Sequence, residues 1–276
     1  MPRTGPLPLA LTALIVGLPA SAAHARVALV ADGGSALPLL DLATGRVERS
    51  MPLPADATAV AVSADGTVAA VAAGRHVVSF DLNARRELAR RRLASAVRGI
   101  VVTPGGGRVL VAAGTRVFAL DARRLTIERR APLGGRARGL ALSPQGTRAA
   151  AVLAGGRVAL LRVGDGVHRT ARARIDGAWG GAFDGSGRLW VSTRKGLLRV
   201  IPPGSAKPRG KAIKLGRGLG GGVAVAPGGQ RIAVGAARKV GRLALVDVGS
   251  RRVRRIKVGR GPGQPSWSPD GTRIYV

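Results

Sequence analysis

His76 and His168 are the histidines that remain once the first 25 residues are set aside, and beside them stand three glutamates (Glu48, Glu87, Glu128), one asparagine (Asn83) and no cysteine. Metal sites need His, Cys or carboxylates in clusters, and a hydrolytic triad needs a histidine held against its nucleophile. His76 opens an alternating, strand-like segment and His168 stands in an arginine-rich one, so the two are expected to lie apart as ordinary surface histidines. On this basis no catalytic residue, metal ligand or cofactor is assigned. The stretch GRGLGG, Gly216 to Gly221, matches the glycine pattern of dinucleotide-binding loops. That pattern works only where it opens a helix. Here it runs into VAVAPGG, a strand and a Pro-Gly-Gly turn, and crowding of strands in the middle of the fold accounts better for its glycines.

What the chain has in abundance is cations. Lys and Arg number 45 against 14 Asp and Glu, a formal net charge of +31. GC-rich codons explain Arg over Lys but not the shortage of acids, since Asp and Glu also have GC-rich codons. A charge of this size is an argument about partners and solubility rather than about fold.

The elements that must position these cations emerge from a repeat. Aligned on a turn glycine, the chain reads VSADGTVAAV, VTPGGGRVLV, LSPQGTRAAA, FDGSGRLWVS, VAPGGQRIAV and WSPDGTRIYV. The glycines are Gly66, Gly106, Gly146, Gly187, Gly229 and Gly271, spaced 40, 40, 41, 42 and 42 residues apart. Each unit alternates β-branched and small residues with period two and is cut by Gly or Pro every 8 to 12 residues, which excludes helical repeats of similar length. A period near 40 built from strands predicts an all-β fold of four-stranded blades, a β-propeller. In one unit ATAVAVS is strand a, GTVAAVAA strand b, HVVSFDL strand c and ELARRRL strand d. Asp41, Asp81, Asp121 and Asp247 close strand c in their units and are expected to bond the turn that follows. Phe183, Trp190 and Trp267 fall in columns held elsewhere by aliphatic residues and read as core, whereas Trp179 shares a column with Arg98 and Arg138.

SPDGTRIYV resembles the WD40-like repeat of translocation-associated propellers and the YVTN-type repeat of secreted bacterial propellers. The likeness covers residues 26–276 as a single β-propeller domain. It implies a fold, while the activities found on such propellers range from lactonase-like enzymes to protein-binding scaffolds. The N-terminal stretch from Arg26 to Leu53 supplies strands b, c and d, and Ser266 to Val276 supply strand a with its turn. The expected ring therefore has six blades, the closing one composite; the alternative is seven blades with the last cut short.

In such a fold the b-to-c and d-to-a loops share one face. The b-to-c loops read Arg75-His76, Thr115-Arg116, Gly156-Arg157, Arg194-Lys195 and Arg238-Lys239, all basic. Arg98, Arg138 and Trp179 stand where strand a begins, eight residues before the turn glycine. The candidate ligand-binding set is thus Arg75, Arg98, Arg116, Arg138, Arg157, Trp179, Arg194, Lys195, Arg238 and Lys239, with Trp179 the best single contact. The opposite face, with Asp65-Gly66, Asp184-Gly185 and Asp270-Gly271, is expected to be neutral or acidic. Cations on strand d, as in RRELARRR and RRVRRIK, read chiefly as solvated edges that resist sheet-to-sheet association.

Residues 1–25 read as a signal peptide: one basic residue (Arg3), an apolar run from Leu7 to about Ala20, and Ala23-His24-Ala25 with small residues at the cleavage spacing. The run is too short and Pro-interrupted to span a bilayer, so no transmembrane segment is expected after its removal. The 45 basic residues less Arg3, against 14 acidic, leave a formal +30 on the exported part. The expectation is a secreted, periplasmic or cell-envelope protein, a monomer, acting as a non-catalytic binding module. Its basic loop face would dock an acidic protein or an anionic envelope polymer. Nonspecific nucleic-acid binding would be backbone-directed and salt-dependent, because almost no aromatics are spare for stacking. The alternative is a lactonase-like hydrolase or isomerase with an active site at the channel mouth.

Overall fold

The computed structural model describes residues 12–16, 27–31, 33–41, 44–236, 241–259 and 263–276. The repeat folds as expected into four-stranded antiparallel sheets in which sequence neighbours pair. Blade 1 holds β1 (Thr12–Val16), β2 (Val27–Ala31), β3 (Ala36–Asp41) and β4 (Val47–Pro52). Blade 2 holds β5 (Ala57–Val62), β6 (Val68–Ala73), β7 (His76–Asp81) and β8 (Arg86–Arg92). Blade 3 holds β9 (Val97–Val102), β10 (Arg108–Ala113), β11 (Arg116–Asp121) and β12 (Ile127–Pro132). Blade 4 holds β13 (Ala137–Leu142), β14 (Arg148–Leu153), β15 (Arg157–Val163) and β16 (Val167–Arg174). Blade 5 holds β17 (Ala178–Phe183), β18 (Leu189–Thr193), β19 (Leu197–Ile201) and β20 (Arg209–Lys214). Blade 6 holds β21 (Leu219–Val225), β22 (Arg231–Ala236), β23 (Arg242–Asp247) and β24 (Val253–Lys257). The last two strands, β25 (Ser266–Trp267) and β26 (Ile274–Tyr275), pair only with each other among the described residues.

The first strand of each unit touches the first strand of the next, and β25 lies beside both β21 and β1, so seven inner strands close a ring. Six four-stranded blades are present, but the closing blade is not composite. β1 already fills the inner position of blade 1, pairing Thr12 with Ala31 and Val16 with Val27. With that slot occupied, the C-terminal hairpin stands as a seventh, two-stranded unit, which is the alternative arrangement. Five of the residues read as signal peptide, 12–16, are therefore strand.

Burial follows position in the blade. A middle strand has sheets against both faces, and β6, VAAVAA, is buried at every residue. The outermost strand meets solvent, and β12, IERRAP, buries only Ala131. Among the described residues six apolar layers lie between successive blades; the one between blades 2 and 3 contains Val68, Val77, Val109, Val111 and Leu120. Phe183, Trp190 and Trp267 are buried in such layers, as their columns predict.

The turn between the first and second strand owes its shape to one column of side chains. The oxygens of Ser63, Thr103, Ser143 and Ser268 each accept the backbone N–H five residues on, at 2.9 to 3.1 Å. Gly66, Gly106, Gly146 and Gly271 supply the left-handed φ of 67 to 73° these turns require. In blade 5 the same place is held by Asp184, whose Oδ1 accepts from the Arg188 N–H at 2.9 Å. Its Oδ2 accepts from Trp190 Nε1 at 2.8 Å and Arg188 Nε at 2.7 Å. Asp184 is 2% exposed, so it is not the surface acid its turn suggests. Carboxylates need partners where water is excluded, and the neighbouring tryptophan and arginine supply them.

Arginines do a second job. Arg148 reaches forward to the Gly187 carbonyl and lies over the Phe183 ring, its Cζ 5.5 Å from the centroid. Arg231 repeats this one unit pair later, bonding the Gly271 carbonyl at 2.7 Å and covering Trp267 at 5.1 Å. On strand d, Arg91 bonds Leu125 O at 3.1 Å, Arg169 bonds Pro132 O at 3.2 Å and Arg255 bonds Leu215 O at 2.7 Å. These outer cations tie neighbouring blades together as well as solvating an edge.

Candidate functional site: the basic loop face

Pairing registers define the two faces. Ala57 opposes Ala73, Ala73 opposes His76 and His76 opposes Arg92, so the b-to-c and d-to-a connections share one end, the loop face. Val68 opposes Asp81 and Asp81 opposes Arg86 at the other end, the turn face.

At the loop-face end every one of five inner strands carries a β-bulge. In blade 2 the register passes from Ala57 with Ala73 to Ala59 with Ala72, leaving Thr58 out of the ladder. The same skip omits Arg98 in blade 3 and Arg138 in blade 4. In blade 5 it omits Trp179 and Gly180, and in blade 6 Gly220 to Gly222. A bulge re-aims the residue it expels. Around the ring's axis the expelled column therefore presents a threonine, two arginines, a tryptophan and then bare glycine backbone.

Two cations converge on the tryptophan. Arg138 Cζ lies 4.8 Å and Arg194 Cζ 4.2 Å from the centroid of the Trp179 ring. Each such contact contributes roughly 0.5 to 1 kcal/mol, enough to hold two like charges beside one ring. Burial first, and the Arg194 charge second, hold the Arg138 guanidinium below its ordinary pKa. Among the described residues the ion pairs are Arg85–Glu48, Arg90–Glu87, Arg108–Glu128, Arg174–Asp176 and Arg188–Asp184, and none involves a candidate residue.

The remaining candidates ring this cluster. Arg75 sits in the two-residue turn that Gly74 opens at φ 59°, and is exposed. Arg116 and Arg157 are the exposed first residues of β11 and β15. Arg98 is exposed in its bulge, and Arg194 and Lys195 are exposed in the hairpin turn of blade 5. Arg238 and Lys239 lie outside the described residues. The structure brings together Arg138, Trp179 and Arg194 from two blades and spreads the others around the face. His76 opens β7 at this face with Nδ1 buried and unpartnered among the described residues, and His168 is exposed on β16, so the two histidines stand apart.

One expectation needs correcting. The turn face is not neutral or acidic: exposed Arg46, Arg85, Arg86, Arg123, Arg124, Arg251 and Arg252 lie there too. What differs is the acids. Asp81 accepts from the backbone N–H groups of Asn83 and Ala84 at 3.0 and 2.9 Å, and Asp121 from those of Arg123 and Arg124 at 3.0 and 2.7 Å. Asp247 accepts from Ser250 N–H at 2.7 Å and Asp41 from the Thr44 hydroxyl at 2.8 Å. These are the turn bonds their position predicts. Bonds from the Ser250 hydroxyl and N–H hold the Asp247 carboxyl below its ordinary pKa. On the loop face the described acids are Asp56 and Asp176. The asymmetry lies in where negative charge is missing.

Glycines in the GRGLGG stretch do answer to crowding. A Cβ on Gly221 would stand 2.5 Å from Ala236 O, and one on Gly180 2.5 Å from Gly221 O. Ser192 ties this region together, its hydroxyl donating to Gly221 O at 2.6 Å. The convergence of Arg138, Trp179 and Arg194 escaped sequence reasoning as a cluster, although the column shared by Arg138 and Trp179 carried the signal.

Blades around a ring with inner-strand bulges at one face define a β-propeller. No family model and no curated protein matches the chain. Among solved structures it is similar to Kuenenia stuttgartiensis hydrazine synthase, with a TM-score of 0.80 and 17% identity over 99% of this chain and 93% of that one. At that identity the likeness is one of fold. No helix among the described residues is long and apolar enough to cross a membrane.

Proposed function

We propose that the protein is an exported, non-catalytic β-propeller of the WD40-like or YVTN-type kind that docks an anionic partner on its loop face. The single observation that carries this reading is the pair of guanidinium groups, Arg138 and Arg194, held at 4.8 and 4.2 Å from the Trp179 ring with no ion pair among the described residues. Around it Arg75, Arg98, Arg116, Arg157 and Lys195 lie exposed on a face where Asp56 and Asp176 are the described acids. Guanidinium groups recognise carboxylates and phosphates through paired donors, so an oxyanion is the chemistry this face fits. The leader-like sequence of residues 1–25, although Thr12–Val16 within it forms β1, supports a partner outside the cytoplasm, an acidic protein or an anionic envelope polymer.

Retention on a sulfonate matrix under a salt gradient tests it. Wild type is compared with a loop-face variant carrying Arg116→Gln, Arg157→Gln, Arg194→Gln and Lys195→Gln. A second variant of equal charge carries Arg46→Gln, Arg86→Gln, Arg123→Gln and Arg124→Gln on the turn face. The loop-face variant is expected to elute at clearly lower salt than the turn-face one. Coincident elution of the two sinks the face-specific reading.

A further inference from the structure

The hairpin turn of blade 5 points its two cations to different places. It is closed by the Gly196 N–H donating to Thr193 O at 2.9 Å, with Gly196 at φ 72°, so Arg194 and Lys195 are its two central residues. Arg194 turns inward to Trp179 near the ring's axis. Lys195 instead lines a cavity of about 360 Å³ on the flank between blades 4 and 5. Arg174, Arg199 and Thr193 line it as well, over an apolar floor of Ile175, Leu197 and Pro208. Its one acid, Asp176, is engaged by Arg174 Nε at 3.2 Å. Because Leu197 pairs with Lys214 near the loop face while Val200 pairs with Arg209 further down, the lining from Lys195 to Pro208 descends the flank of the blade.

Two cation clusters thus lie on either side of one two-residue turn, the first at the axis and the second in a cavity leading away over the rim. We infer that the loop face binds a linear, flexible chain of closely spaced oxyanions, which crosses the Arg194-Lys195 turn from the Arg138–Trp179–Arg194 cluster into the flank cavity. This rests on the anion-docking reading above and adds the form of the partner. A folded acidic protein presents a broad surface, which a cavity of this size between two blades does not accommodate. A single strand of polymer does, and each cluster then takes one of its charged groups. Joining the two contacts through one chain makes the second an intramolecular event, so affinity climbs with chain length once the chain spans both.

The test uses the full chain and inorganic polyphosphate of graded length, read by competition at fixed ionic strength with concentrations expressed per chain. Poly-glutamate of matched charge forms a parallel arm that separates phosphate from carboxylate polymers. Polyphosphate of about twenty units is expected to bind at least about ten-fold more tightly than tripolyphosphate. Arg174→Gln with Arg199→Gln is expected to abolish most of that gain while leaving tripolyphosphate affinity within about two-fold. The charge-matched Arg123→Gln with Arg124→Gln on the turn face is expected to preserve the gain. If long and short chains bind equally, or if both double variants lose the gain alike, the chain-binding inference falls while anion docking stands. If neither polymer nor tripolyphosphate binds, docking itself fails. Saturation by a folded acidic protein, with no length dependence for either polymer, also overturns the inference.

Discussion

The loop face and the turn face carry exposed cations in comparable abundance, but it is on the turn face that the acids gather and are bonded into the fold. On the turn face charge is built into the fold: Asp121 accepts from Arg123 and Arg124 N–H, Asp184 holds Trp190 and Arg188, and Arg148 and Arg231 clamp the next unit's turn. On the loop face Arg116, Arg157 and Lys195 are exposed and enter no ion pair among the described residues. The number of exposed cations alone would rank the faces as equals. Only the bonding separates a charge that holds structure from one that is available.

That contrast is open to attack at its strongest point first. Asp184→Ala strands the Trp190 N–H and the Arg188 N–H of a buried turn, and is expected to lower unfolding free energy by about 3 kcal/mol in urea titration. A loss below about 1 kcal/mol would show that the turn face is not held by its charges. Burial raises the Asp184 pKa, but bonds from Trp190, Ser186 and Arg188 outweigh it and hold the carboxyl below its ordinary value. A depressed folded pKa means that the stabilisation is complete above the unfolded value of about 4 and fades as pH falls through the lower folded one. Asp184→Asn is therefore expected to flatten the acid limb of the stability profile.

Next comes Arg148→Gln, which removes a charged donor to Gly187 O and the cover over Phe183. It is expected to cost about 1.5 kcal/mol. Asp121→Ala frees two turn N–H groups at a partly exposed site and is expected to cost about 1 kcal/mol by thermal melting. The smallest effect sharpens the comparison from the other side. Arg116→Gln should change stability by no more than about 0.5 kcal/mol and still advance elution from the sulfonate matrix. A destabilisation as large as that of Asp121→Ala would mean that the loop face, too, is structural.

Much of the fold could be read from spacing, because a propeller repeats its physics as well as its letters. Turn glycines need the same φ in every unit, and aspartates at the end of strand c cap the same turn, so their columns announce themselves. The core aromatics Phe183, Trp190 and Trp267 stood in aliphatic columns for the same reason. What stayed hidden depends on contacts between units. Asp184 looked like a surface turn residue because its partner Trp190 lies six residues away around a corner, and Arg148 gives no sign that its acceptor is Gly187. The place of β1 beside β2 also escaped, since an apolar run reads as a leader whether or not it can also pair as a strand. Bulges are facts of register between two strands, and no single strand spells them out. For the site, the Arg98, Arg138 and Trp179 column was visible while the approach of Arg194 from the next hairpin was not.

The forward reach of Arg148 to Gly187 O and of Arg231 to Gly271 O changes what one unit of this sequence means. The units are alike in their letters, but at these two junctions the fastening of one unit is completed by the unit that follows. An evolutionary deletion or duplication of one unit would have to re-form that handshake across a new junction. As the chain emerges from synthesis or export, a blade with its own strands in place still waits for the next turn to arrive. Stability is then shared between neighbours rather than owned by each, as nearest-neighbour coupling in a repeat array demands.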